Sequence, residues 1–139
     1  MEVSIKVAIP SDPRYLSLVR AVVGELAAIH ELPPAEGRAL MLAVDEALAN
    51  VIRHAYHGDF EKPVEVTCAA YPDRLEFVLL DQGSAPDPAR LAPHALDDES
   101  LSGRGTHIIR SIMDVVSYEQ TPAGNILRLT KRLPANPKA

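Results

Sequence analysis

The sequence predicts an α+β domain: a two-layer sandwich in which a mixed or antiparallel sheet of about five strands carries its helices on one face. Two observations carry this prediction. Segments of period-two and helical hydrophobicity follow one another in the order βααββαββ, too irregular an alternation for a doubly wound parallel sheet. The 139 residues, 47% apolar and 24% charged, suit one ordinary core, neither disordered nor collagen-like. A single domain over 1–133 is therefore expected, with a frayed tail over 134–139.

Val3, Ile5, Val7 and Ile9 alternate with Glu2, Ser4, Lys6 and Ala8, the pattern of a half-buried first strand. Ser11-Asp12-Pro13 then offers an N-cap and a first-turn proline. The face Leu16, Val19, Val22, Val23, Leu26, Ile29 continues as a helix that stops at Pro33-Pro34. A second helix is predicted over 35–56, with an apolar stripe of Leu40, Val44, Ala47, Leu48, Val51 and Ala55, and His57-Gly58-Asp59 ends it. Val64 and Val66, then Leu75, Phe77 and Leu79, flank Tyr71-Pro72-Asp73-Arg74 and read as a hairpin.

From Asp81 to Gly103 the chain loses periodicity and collects Pro86, Pro88, Pro93 and the acidic run Asp97-Asp98-Glu99. Such a long loop inside a domain is often a lid over a ligand. Ile108, Ile109, Ile112 and Met113 then mark a short helix. Two last strands, over 115–119 and 125–132, flank Pro122-Ala123-Gly124.

Composition excludes several classes of function. Fourteen Lys and Arg against nineteen Asp and Glu give a formal charge of -5, with no basic cluster able to track a phosphate backbone, so no nucleic-acid partner is expected. One cysteine, Cys68, permits neither an internal disulfide nor a CxxC knuckle, and its strand setting reads as core packing. The start of the chain has no signal-peptide pattern, and no run of 18 apolar residues occurs, so the expectation is cytoplasmic, with no membrane partner. His54 and His57, three apart, lack further ligands at metal-site spacing, and His54 reads as a packed histidine.

Three places can carry chemistry. Glu46 and Asn50 share one side of the second helix, beside the small Ala39 and Ala43. They form either a solvated polar face or a general base with an oxygen ligand for a hard cation. Asp81-Gln82-Gly83 ends the third strand. It is either turn punctuation or, if Asp81 faces the helices, a carboxylate needing a donor such as a purine amino group, with Gly83 leaving room for a flat ring. Ser102-Gly103-Arg104-Gly105-Thr106 opens the last helix, as an ordinary junction or as an anion cradle. It is neither a P-loop nor a dinucleotide fingerprint.

The order of these places resembles the ATP-binding (Bergerat-type) fold shared by gyrase, Hsp90, histidine kinases and MutL, and within it the small bacterial anti-sigma factor serine kinases. The resemblance lies in AVDEALANVIRHAY over 43–56, DRLEFVLLDQG over 73–83, GRGTHIIRSIMDVV over 103–116 and GNILRLTKRL over 124–133. It implies ATP and Mg²⁺ as cofactors, with Asn50 as the Mg²⁺ ligand and Glu46 as the base that deprotonates a substrate serine. Asp81 would read adenine, Gly83 would admit the ring, and Thr130 would support the base through water. Gly103, Arg104, Gly105 and Thr106 would hold the phosphates. Departures from the family pattern fall at Thr106 and His107, and at Ala85-Pro86. The family's members dimerise and bind a sigma factor or a STAS-domain anti-sigma factor antagonist, whose serine they phosphorylate. A nucleotide-gated module that sequesters a partner without phosphotransfer is the competing reading. Arg14, Arg20 and Glu25 of the first helix are either a partner face or a solvated one.

Overall fold

A computed structural model describes residues 2–84 and 101–134, with the side chains of 101–105 outside the description. Strand β1 (Val3–Pro10) leads through a single 3₁₀ turn at Pro13–Tyr15 into α1 (Leu16–Ile29) and α2 (Pro34–Asn50). Strands β2 (Pro63–Tyr71) and β3 (Arg74–Asp81) follow, then α3 (Leu101–Ile112), β4 (Val115–Thr121) and β5 (Gly124–Arg132). The expected lid falls almost wholly on 85–100, outside the described residues, as do Asp97-Asp98-Glu99 and 135–139.

The five strands form one antiparallel sheet in the order β1-β2-β3-β5-β4. Strand parity decides which side each residue serves. Val66 pairs with Leu79, Cys68 with Phe77 and Phe77 with Leu129, and all five are buried under the helices. Val19, Val23, Leu40, Val44 and Leu48 complete the core from α1 and α2, with Ile109 from α3. Among the described residues, no helix covers the other face of the sheet. There Glu76, 8% exposed, accepts from Arg128 at 2.8 Å and from Arg74 at 3.1 Å.

Local chemistry explains the element ends. Asp12, not Ser11, is the cap: its Oδ1 accepts from the Arg14 N–H at 2.9 Å. Ser11 is buried, and it clamps the chain after α2 by donating to the Asp59 carbonyl at 2.6 Å and accepting from the Lys62 N–H at 3.0 Å. The predicted second helix keeps helical backbone through Asn50 and Val51 but changes winding. Val51–Ala55 form a π turn, closed by the Tyr56 N–H on the Val51 carbonyl at 3.1 Å. His57 (φ 52°) and Gly58 (φ 81°) then turn left-handed and stop it. No described helix is long and apolar enough to cross a membrane.

Candidate functional site

The π turn at the end of α2 docks on the segment that leaves β3. The Ser84 N–H donates to the Ala55 carbonyl at 2.8 Å, and a Cβ on Gly83 would overlap that same carbonyl. Gly83 is thus required by backbone packing, whatever else it admits. Tyr56 ties the joint a second time: its hydroxyl accepts from the Gln82 N–H at 2.7 Å and donates to the Pro63 carbonyl at 2.5 Å. The helix that carries Glu46 and Asn50 is therefore fastened to the strand end that carries Asp81.

Parity puts Asp81 on the helix side of the sheet with Leu75, Phe77 and Leu79, settling the face that its sequence left open. It is 6% exposed. Burial raises its pKa, while hydrogen bonds from Asn125 and from the Gly83 N–H pull the other way. Both bonds, each 2.9 Å, fall on Oδ1. Among the described residues Oδ2 is the oxygen left to accept from a ligand, the arrangement a donor-bearing base would need.

Glu46 and Asn50 are half-buried and one turn apart, beside the buried Ala43 and Ala47. The Asn50 Oδ1 accepts from the Arg53 guanidinium at 2.9 Å. That oxygen is the hard donor type Mg²⁺ takes, so the residue fits the ion, in competition with Arg53.

Two expectations are corrected. Gly103, Arg104, Gly105 and Thr106 do not precede a helix but lie inside α3, which starts at Leu101. Two glycines cost a helix only about 1 kcal/mol each. The buried Ile109 and Met113 hold the far end of this segment, and α3 packs along α2. Among the described residues, the N–H groups that lack an intrahelical partner are consequently those of the turn that begins at Leu101. Thr130 is the second correction. It pairs with Glu76 and Val115, on the other face of the sheet with Arg128, whereas Asp81 faces the helices. A side chain on that side is turned away from Asp81.

The residue opposite Asp81 is Asn125, which the sequence reading missed. A signal existed: Asn125, Leu127 and Leu129 share a parity, so a polar group stands on the apolar side of β5 and needs a partner. Its Nδ2 donates to Asp81 Oδ1 and to the Gly83 carbonyl, each at 2.9 Å, and its Oδ1 accepts from the Tyr118 hydroxyl at 2.9 Å. Gly124 (φ 133°) makes this approach possible, since a Cβ there would overlap the Asp81 carbonyl.

A buried carboxylate thus stands where β3 meets the end of a helix bearing Glu-x-x-x-Asn, in a two-layer sandwich of the ATPase-domain type. The chain belongs to the histidine kinase-like ATPase domain family, which matches its residues 9–131. It is 31% identical to the serine-protein kinase RsbW of Bacillus velezensis over 137 residues, covering 93% of this chain and 85% of that one. The Bacillus subtilis serine-protein kinase RsbW is 29% identical with the same coverage. In fold, the chain is similar to the RsbU and RsbW domains of Rv1364c from Mycobacterium tuberculosis, with a TM-score of 0.67 at 15% identity, over 96% of this chain and 34% of that one. A histidine kinase domain from Erythrobacter litoralis EL346 gives a TM-score of 0.58 at 16% identity, over 88% of this chain and 60% of the other.

Proposed function

We propose that the chain is a serine protein kinase and anti-sigma factor. It would bind ATP at the Asp81 corner and phosphorylate a STAS-domain antagonist in a partner-switching circuit, as a cytoplasmic homodimer that also holds a sigma factor. The observation that carries the reading is the joint between helix and strand: Gly83 and Ser84 on Ala55 couple the Asp81 carboxylate to the helix of Glu46 and Asn50. The similarity to serine-protein kinases RsbW over most of both chains supports it.

Phosphoryl transfer asks a protein mainly for positioning and charge neutralisation. The Asp81 Oδ2 would accept from the adenine amino group, and the first-turn N–H groups of α3, with Arg104 and Thr106, would meet the phosphates. Glu46 would take the proton of the partner's serine as its oxygen bonds to the γ-phosphorus and the bond to the β-phosphate oxygen breaks, releasing ADP. Mg²⁺, held by Asn50, would supply charge neutralisation on the phosphates.

The test is a phosphotransfer assay with Mg·ATP and purified STAS-domain candidates, read as phosphoserine by mass spectrometry. A Glu46→Gln variant is expected to bind ATP as the parent does and to lose about 100-fold or more in transfer rate. Transfer at the parental rate would remove Glu46 from the role of base. The Arg53 contact to Asn50, which competes with a cation, favours one second reading: a nucleotide-gated module that captures its partner without transfer. That reading expects an ATP-dependent complex with unmodified serines.

A further inference from the structure

Three side chains run in line from β4 to the Asp81 carboxylate. The Tyr118 hydroxyl lies 2.9 Å from Asn125 Oδ1, and Asn125 Nδ2 lies 2.9 Å from Asp81 Oδ1. The order of donors follows from the chemistry. A carboxylate only accepts, so the amide must turn its Nδ2 to Asp81, and its carbonyl is then left to receive the phenol. The second amide hydrogen serves the Gly83 carbonyl at 2.9 Å, with the Ser84 carbonyl at 3.4 Å. Asn125 is 4% exposed, and both ends of its amide are engaged by the protein.

With both amide hydrogens spent on Asp81 and Gly83, Asn125 has no donor left for a ligand, and its route to a bound base is through Asp81. We infer that Asn125, held in orientation by Tyr118, is a positioning residue that ties Oδ1 of Asp81 and so presents Oδ2 to the amino group of a bound purine. The inference rests on the proposed reading of Asp81 as the base reader.

A carboxylate held by one donor can rotate and offer either oxygen. One held at Oδ1 by both the Gly83 N–H and Asn125 has a fixed second oxygen. Fixed direction turns an acceptor into a discriminator, because a 6-amino purine gives it a donor and a 6-oxo purine gives it a repelling carbonyl. Without the Tyr118 hydroxyl, the Asn125 amide keeps its Nδ2 towards Asp81 and Gly83 but loses the donor that fixes its other end, so its hold on Oδ1 slackens. The base preference would then weaken while the phosphate contacts stay as they were.

The experiment is calorimetric titration of Mg·ATP and Mg·ITP into the parent, Tyr118→Phe, Asn125→Leu and Asp81→Asn, with thermal unfolding to establish that each is folded. The parent should prefer ATP. Tyr118→Phe should narrow the ATP:ITP ratio by about fivefold or more, through weaker ATP binding with ITP binding unchanged, and Asn125→Leu should narrow it further. Parallel loss of both nucleotides, or the parental ratio in folded Tyr118→Phe, would overturn the positioning role. The Asp81→Asn arm separates the two claims. A parental ratio there would overturn the base-reading assignment itself, whereas loss of preference in Asp81→Asn alone would overturn only the roles of Asn125 and Tyr118. Tyr118→Phe removes a single hydroxyl, so it decides the matter even if Asn125→Leu fails to fold.

Discussion

Gly83 lies against the backbone carbonyl of Ala55, 28 positions earlier in the chain, with no room between them for a methyl group. The contact joins the last turn of the second helix to the end of the third strand, and the Ser84 N–H bonds to the same oxygen. A Gly83→Ala chain must move one element off the other or lose that bond. The expected cost is about 1–3 kcal/mol, seen as a fall of several degrees in the thermal midpoint by circular dichroism. An unchanged midpoint would show that the joint is looser than the geometry demands.

Ionising Asp81 costs the folded protein stability. Burial raises its pKa above the ordinary 3.8, so the folded protein binds its proton more tightly than the unfolded chain does. Its contribution to stability is therefore complete below about pH 3.8 and is lost as pH rises through the folded value. Asp81→Asn keeps an oxygen for Gly83 and Asn125 but carries no charge. It should be more stable than the parent at pH 7, with the gap closing towards pH 4, while binding ATP about tenfold or more weakly. Paired thermal melts across this range, beside calorimetry, measure both effects.

Glu76 runs the other way. Burial would raise its pKa, but hydrogen bonds from Arg128 and Arg74 outweigh burial and lower it below the ordinary 4.5. The stability it contributes is present above about pH 4.5 and is lost as pH falls through the folded value. Glu76→Gln should destabilise the protein at pH 7, leaving two arginines without their shared carboxylate, and the difference should fade on acidification. A difference that grows at low pH would contradict the assignment.

Thr130 supplies a test of strand parity. It stands on the face away from the helices beside Glu76 and Arg128, so Thr130→Val should leave ATP affinity within about twofold of the parent, the range of a surface change remote from a ligand. Affinity lower by tenfold or more in calorimetry would mean that this face of the sheet does touch the nucleotide.

The chain's own pattern was enough to determine its elements and their order. Period-two and period-3.6 hydrophobicity is local information, and it located the strands, the hairpin turns and the helix of Glu46 and Asn50 to within a few residues. The nucleotide-fold resemblance was likewise legible, because its motifs are contiguous. What surrounds Asp81 was not. Asn125 comes to it across 44 positions only because β5 inserts between β3 and β4, in a register that sets the two residues opposite each other. Both parities of β3 are apolar, so the side that faces the helices was open until the layers were packed, and with it the side on which Thr130 falls. In sequence the glycines of the last helix look like a junction, since glycine ordinarily marks one. The helix instead continues through them to Leu101, anchored beyond by the buried Ile109 and Met113. Local periodicity names the elements, whereas pairing register and layer packing decide which of their side chains meet.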